Sequence, residues 1–485
     1  MTRSDILTLL PLVVLVFWAM ALLLVDLWIP AQRKGITALL AAVGLAVCLG
    51  LTLAQAGQTH TAFNGMVVVD GFAVFLNVLF LASGLAGVAL AYDYLKRMGI
   101  EKGEYYALLL FTVSGMLLMA YANDLIMIFL ALELLSIPLY ILSGFARPRP
   151  ESEESALKYF LLGSFASGFV LYGVALVFGA TASTGLPAIF KAATGGTANL
   201  SLLLVGAGLI TIGLGFKVAA VPFHMWTPDV YQGAPSPVTG FMSVGAKAAG
   251  FAALLRVFMV AFPSLAANLG PILWGLAALT MVVGNITALA QSNIKRLLAY
   301  SSIAHAGYLL MAFASFGTGT ATASAVASAL FYLMAYAFTS LGAWAVVVTL
   351  EKAEGKGLGS GLEIADYAGL GAKYPLLSAA MLIFLLSFAG IPPTLGFWGK
   401  FYLFRSAVLG GNTPLAVIGL LTSLVSAYYY LRVAVIMYMR PGEPVARRET
   451  WVNLTAVIAA LATLLLGLVP GPLFDIASQA IIKLF

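Results

Sequence analysis

Apolar residues run along most of this chain without the strict alternation of a half-buried strand or the regular polar face of a surface helix. The stretch LIMIFLALELLSIPLY, 125–140, is typical. A bilayer core about 30 Å thick is crossed by about 20 apolar residues in a helix. Fourteen segments fit, near 6–28, 35–55, 70–95, 104–121, 124–145, 155–181, 200–231, 236–261, 271–290, 294–316, 322–351, 374–408, 413–440 and 451–480. The pattern predicts an all-α polytopic membrane protein of about fourteen transmembrane helices. The start, MTRSDILTLLPLVVLVFWAMALLLVD, resembles a signal sequence. Its apolar stretch of about 20 residues is too long for a signal core and no small-residue cleavage site follows, so it reads as the first spanning helix.

The breaks between segments carry the charge. Arg33, Lys34, Lys96, Arg97, Lys102, Arg147, Arg149, Lys295, Arg296, Lys352, Lys356, Lys373, Arg440, Arg447 and Arg448 all follow odd-numbered spans. The opposite side has Arg3, Lys191 and Lys483. Basic residues collect on the cytoplasmic side, which predicts both termini on the outer side. The segments RPRPESEE, 147–154, and EKAEGKGLGSGLEIADYAGLGAKYP, 351–375, read as cytoplasmic loops; the latter lacks the GxxxxGK[ST] pattern of a phosphate loop.

Composition agrees. Of 485 residues 62% are apolar and 9% charged, and mean hydropathy is +1.01. That is too little charge to give a chain of this size a water-facing skin. The net charge of +6 belongs to the loops and does not indicate a nucleic-acid partner. Cys48 is the single cysteine, which excludes an internal disulfide and a Cys-ligated zinc or iron–sulfur site. With His60, His224 and His305 scattered, neither a metal nor a redox cofactor is expected on this chain.

Seven basic residues remain inside predicted helices. Lys158, Arg256, Arg405 and Arg432 lie within reach of a helix end and can snorkel. Lys217 and Lys247 cannot. Counted from their helix starts, Glu133, Lys217, Lys247 and His305 fall near one depth, the midplane, and Lys400 is deeper than any loop charge. Each ionised group there costs roughly 2.5–3.5 kcal/mol. A static Glu133–Lys217 staple would account for one pair. It leaves Lys247 and Lys400 without a buried acid, since Asp229, near a helix end, is the only other candidate in this region. Lysines and a histidine at one depth suit lateral proton transfer, with the Glu133 charge switching Lys217.

The backbone supports this. The seventh span carries Pro222, Pro228, Pro235 and Pro237, and the twelfth carries Gly390, Pro392 and Pro393. Interrupted spans in corresponding halves of a transporter mark an ion path. Five helices separate them, which predicts two inverted five-helix units, helices 4–8 within 104–261 and helices 9–13 within 271–440. A three-helix segment, 1–103, precedes them, and a C-terminal helix, 451–485, follows.

The motifs LALELLSIPLY, GFKVAAVPFHMWTPDVYQGAPSPVTGFMSVGAKAAGF, NIKRLLAYSSIAHAGYLL and AGIPPTLGFWGKFYLF resemble the antiporter-like subunits of respiratory complex I, the proton-pumping NADH:quinone oxidoreductase, over nearly the whole chain. Within that family the resemblance is closest to the N type. The chain has no long lateral helix after span 14, unlike the L type, and has lysine where the M type has glutamate after the second break. The resemblance implies that Glu133 and Lys217 form a switchable pair, that Lys247 and His305 relay protons, and that Lys400 exchanges them with the outer side. Lys158, His224, Lys295 and Tyr300 would be auxiliary, and Pro222, Pro392 and Pro393 would mark the helix breaks. It implies no redox chemistry on this chain: NADH, FMN, iron–sulfur clusters and quinone would sit on partner subunits. Two related antiporter-like subunits and small membrane subunits would be its neighbours. The resemblance also implies a bacterial plasma (inner) membrane, with its periplasmic outer side. On the residues alone, His224 lines a water path or satisfies freed carbonyls. Asn285, Ser301, Ser302 and Tyr300 read as interhelical hydrogen-bond partners. A cation/proton antiporter of the Mrp type, a membrane-bound hydrogenase subunit, or an inert membrane scaffold are the competing readings.

Overall fold

The computed structural model describes residues 3–480 apart from 315, 318 and 353–360. Lys356, Lys483 and the middle of the Gly-rich segment therefore lie outside the described residues. Among those described, eleven helices are long and apolar enough to cross a membrane, and Leu10–Asp26 and Pro375–Ala389 are shorter apolar helices. Large apolar side chains such as Phe17, Phe165, Leu424 and Leu465 stand exposed on the outer faces. Water would penalise that surface; lipid tails match it. The chain is a multi-pass membrane protein.

Several long helices start where a side chain satisfies the free backbone N–H groups of the first turn. Asp70 accepts from Ala73 N at 2.9 Å and so begins Gly71–Arg97. Asp124 accepts from Ile126 N at 2.8 Å and begins Leu125–Ser143. Asn293 accepts from Lys295 N and Arg296 N and begins Ile294–Leu310. Small residues set the closest approaches. Pro150–Thr181 and Leu200–Val218 touch at Gly173 and Gly206, where an added Cβ on Gly173 would stand 2.8 Å from the Gly206 carbonyl.

Two helices form the axis. Every residue of Ser236–Arg256 is buried, and Gly319–Leu350 packs beside it. Glu104–Tyr121 and Ile294–Leu310 are almost wholly buried as well, while helices such as Pro150–Thr181 and Thr413–Met439 turn one face inward and one outward. Both expected interruptions are present. Leu200–Val218 stops at Ala219, in the left-handed conformation with φ 62°, and resumes as Trp226–Gly233. Pro375–Ala389 stops at Gly390, φ 81°, and resumes as Leu395–Leu409. Pro222, Pro392 and Pro393 lie in these two gaps.

Three features depart from the helix-only pattern. A short antiparallel hairpin pairs His60–Ala62 with Val67–Val69 between the second and third spans. The β-branched VVV run supplies one strand, and Phe63, Asn64 and Gly65 turn the chain with positive φ. Leu186–Thr194 forms an extra short helix before the first interrupted span. Val257–Ala261 widens into a π-helical turn directly after Arg256.

Arg256 does not snorkel. It is 1% exposed, and its guanidinium donates to both Asp70 oxygens, at 2.7 and 2.8 Å, and to the Ala120 carbonyl at 3.0 Å. Asp70, 3% exposed, thus caps one helix and neutralises a residue at the end of another. Arg432 is also held in place. Its guanidinium donates to Leu289 O and Gln291 O, the open carbonyls where Ala266–Leu289 ends. Arg405 is exposed, as snorkelling expects.

Candidate proton route

The first buried amine sits at the first helix break. Lys217 occupies the last turn of Leu200–Val218, where the unpaired carbonyls of a helix end favour a cation. Trp226, just past the gap, donates from Nε1 to the freed Phe216 carbonyl at 3.0 Å. Val221 N is satisfied by Thr280 Oγ1 at 2.9 Å. The break is therefore held by side chains, and Lys217 is left to point across to Leu125–Ser143. Its Nζ donates to Ser136 Oγ at 2.8 Å and Tyr159 OH at 3.3 Å. Glu133 lies one turn before Ser136 on that helix, is half-buried, and its Oε1 has no hydrogen-bond partner. Among the described residues no ion pair within 4 Å joins Glu133 to Lys217. The staple suggested by the sequence is replaced by a lysine–serine contact beside an unpaired carboxylate.

The second amine, Lys247, lies on the fully buried axis helix and is 3% exposed. Its Nζ donates to Ser302 O at 2.7 Å and to Ser302 Oγ. Ser302 is one turn before His305 on Ile294–Leu310. His305 is held between two phenols: Nδ1 is 2.5 Å from Tyr332 OH and Nε2 is 3.1 Å from Tyr430 OH. Tyr430 OH also meets Ser301 Oγ at 2.5 Å.

The third amine belongs to the second break. Lys400 lies on Leu395–Leu409, 4% exposed, and reaches back across the gap. Its Nζ donates to the Ala389 carbonyl at 3.1 Å and to Ser423 Oγ at 2.7 Å. Ala389 closes Pro375–Ala389, so this carbonyl is one the break has freed. The Nζ is also 4.8 Å from the ring centre of Tyr308, whose ring is 5.7 Å from that of His305. Tyr308 thus stands between the histidine and the last lysine.

Gly390 makes this geometry possible. It has φ 81°, and an added Cβ would be 2.9 Å from Lys400 Cδ. Gly390→Ala combines a left-handed backbone, costing roughly 1–2 kcal/mol, with displacement of the lysine stem. It is expected to lower the melting point of the solubilised protein and to weaken proton export while Lys400 itself is retained. Unchanged melting and export would show that the gap tolerates a side chain.

The auxiliary residues divide. Lys158 pairs with Asp229 at 2.7 Å and Glu154 at 2.6 Å in a half-exposed setting, and Arg296 reaches the other Asp229 oxygen at 2.9 Å. Lys295 is 2% exposed and donates to Ala234 O at 2.6 Å. Tyr300 is half-buried, with the Arg296 guanidinium 5.9 Å from its ring centre. His224 lies within the first gap, half-buried, its Nδ1 without a hydrogen-bond partner. None of these four contacts Lys217, Lys247 or Lys400 by a described hydrogen bond.

Sequence reasoning misses most of the hydroxyls: Ser136, Tyr159, Tyr308, Tyr332, Ser423 and Tyr430. A signal is available for some. Ser136 follows Glu133 by one turn, and Ser302, read only as an interhelical partner, precedes His305 by one turn. Nothing local marks Ser423. The chain also holds a buried acid that the hydropathy pattern does not reveal. Glu351 is 3% exposed, and its place beside the Gly-rich loop disguises it.

Residues 122–426 match the family described as NADH:quinone oxidoreductase/Mrp antiporter, transmembrane. That match spans both breaks together with Glu133, Lys217, Lys247, His305 and Lys400, so fold and family match define an antiporter-like membrane subunit. A curated relative from Trichlorobacter lovleyi, NADH-quinone oxidoreductase subunit N, is 50% identical over 480 residues, covering 97% of this chain and 96% of its own. A chain of respiratory complex I from Thermus thermophilus, solved with bound aureothin, superposes with a TM-score of 0.82 at 39% identity, over 96% of this chain and 99% of that one. A chain of the Mrp complex from Dietzia sp. shares the fold, with a TM-score of 0.85 at 20% identity over 99% and 97% of the two chains. The chain belongs to the NADH-quinone oxidoreductase subunit N family.

Proposed function

We propose that protons cross this subunit through Glu133, Lys217, Lys247, His305 and Lys400. The chain is an antiporter-like, proton-translocating membrane subunit of NADH-quinone oxidoreductase. The observation that carries the route is a repeated pairing. Each mid-depth amine meets a serine hydroxyl, Lys217 with Ser136, Lys247 with Ser302 and Lys400 with Ser423, and none meets a carboxylate among the described residues. A hydroxyl accepts from an ammonium and, after rotation, donates to a neutral amine. Both protonation states are then hydrogen-bonded, and a proton can leave without breaking an ion pair. Lys158, Lys295, His224 and Tyr300 serve the route from its margins.

In this reading the chain has fourteen spans, with inverted five-helix units at 104–261 and 271–440, and both termini on the periplasmic side of a bacterial inner membrane. NADH, FMN, iron–sulfur clusters and quinone belong to partner subunits. Their reaction supplies about 2.3 kcal/mol for each proton moved against 100 mV. Related antiporter-like and small membrane subunits transmit it.

Glu133 is the part of the route that a distant signal can switch. A carboxylate a turn away from contact stabilises the Lys217 ammonium by on the order of 1–2 kcal/mol at an effective dielectric near 20. Glu133→Ala is therefore expected to slow quinone-coupled proton export roughly tenfold, and Glu133→Asp to recover part of it. The test is proton uptake against NADH oxidation in vesicles containing the whole complex. An unchanged proton-to-electron ratio and rate would exclude Glu133 from the route.

A further inference from the structure

Glu351 is a buried carboxylate that the five-residue route leaves unused. It follows the last turn of Gly319–Leu350, on the side that the loop charges assign to the cytoplasm. Its two oxygens are taken by hydroxyls: Tyr94 OH donates to Oε1 at 3.0 Å and Ser236 Oγ to Oε2 at 2.5 Å. Among the described residues it forms no ion pair. Tyr367, buried in the same region outside the spans, has a hydroxyl without a hydrogen-bond partner. Burial, then the nearby Glu351 charge, then Asp366, hold that phenol well above its ordinary value.

The two axis helices connect this carboxylate to the route. On Ser236–Arg256 the polar residues Ser236, Ser243 and Lys247 are spaced by seven and four, which places them on one face. On Gly319–Leu350 the residues Tyr332, Tyr336 and Ser340 follow at steps of four, and Glu351 lies eleven beyond. The faces meet. Ser236 contacts Glu351, and about two turns further in Ser243 Oγ is 3.0 Å from Ser340 Oγ. One turn beyond Ser243 is Lys247, and the Tyr336 ring lies 5.3 Å from that of His305. Between the Ser236–Glu351 and Ser243–Ser340 contacts Trp344 packs on Gly240, where an added Cβ would be 2.9 Å from Trp344 Cβ. The seam is closed at that point, and transfer needs the contact to part. A closed segment keeps a stored proton from leaking back.

We infer that Glu351 is the cytoplasm-facing proton acceptor of this subunit and passes its proton along the seam between the two axis helices to Lys247. The inference rests on Lys247 belonging to the proton route. The carboxylate takes H⁺ from cytoplasmic water and becomes a carboxylic acid. The Tyr94 and Ser236 hydroxyls, which donate to the ionised form, can rotate to accept from the neutral one, so both states are hydrogen-bonded. When the Trp344–Gly240 contact opens, the proton moves through waters and the Ser243–Ser340 hydroxyls. The neutral Lys247 amine becomes an ammonium and Glu351 returns to a carboxylate.

The experiment measures proton uptake per electron pair, and its rate, in vesicles containing the whole complex. Glu351→Gln, Glu351→Asp, a Ser243→Ala/Ser340→Ala double variant and Lys247→Ala are compared. Glu351→Gln keeps the hydrogen-bonding shape and removes the proton-carrying group, so uptake is expected to fall about fivefold or more, with Glu351→Asp recovering most of it. A static structural role would be met by glutamine as well as by aspartate. Normal uptake with Glu351→Gln, while Lys247→Ala blocks it, would overturn the Glu351 assignment and leave the route intact. Normal uptake with Lys247→Ala would bring down the route itself. If Glu351→Gln prevents assembly, the double serine variant decides: a loss of uptake with normal assembly supports the seam, and full uptake overturns it.

Discussion

Replacing Lys247 with alanine is expected to cut proton export through this subunit about tenfold or more while leaving the complex assembled. The two halves of that result have separate physical causes. Among the described residues Lys247 is the amine that bridges the Ser236–Arg256 axis helix to Ser302, and Ser302 is one turn from His305. Alanine leaves the hydroxyl facing a methyl group, with no group there to hold a proton. Even if water partly bridges the gap, losing a fixed acceptor raises the barrier by about 1.4 kcal/mol or more, a fall of about tenfold or greater. Folding moves the other way. Alanine is the strongest helix former, and removing the buried amine also removes roughly 2.5–3.5 kcal/mol of membrane cost. The check is quinone-dependent proton uptake in vesicles together with a native-gel measure of assembly. Normal pumping by an assembled Lys247→Ala complex would leave the inert-scaffold reading standing.

The second large effect concerns stability. Arg256→Ala strands the Asp70 carboxylate, 3% exposed, with its Ala73 cap as the hydrogen bond that remains. Breaking a buried ion pair from one side costs about 3–5 kcal/mol because the other charge stays uncompensated. Asp70→Leu alone should be similarly harmful, since it strands Arg256 and removes a helix cap as well. The double variant Arg256→Met/Asp70→Leu replaces both charges with apolar groups and should recover much of the loss. Thermal melting of the solubilised complex across this four-member cycle gives the coupling. Additive losses in the double variant would mean that the pair is not what holds these helices together.

Lys247 and Arg256 mark the two sides of what sequence makes legible. Lys247 is visible because a charge eleven residues into an apolar run has no bland explanation. Depth follows from counting, since each helical residue advances about 1.5 Å. The breaks are visible for a similar reason: Pro222 and the Pro392–Pro393 pair cannot supply backbone donors in mid-helix. Arg256 misleads because its position near a helix end suits snorkelling, and its partner is 186 positions away. Glu351 misleads for the same reason. Adjacent to a Gly-rich loop it reads as solvated, yet the folding of Ser236 and Tyr94 against it seals it in.

Sequence alone determined the solvent, most of the apolar helices and the position of both breaks. All of these depend on composition and distance along one helix. Tertiary structure decided the partners. It placed Ser136 rather than Glu133 against Lys217, put His305 between Tyr332 and Tyr430, and brought Lys400 back to the carbonyl its own helix break had freed. Those contacts join helices far apart in the chain. Which hydroxyl meets which amine depends on helix rotation and close packing, and no local period records either.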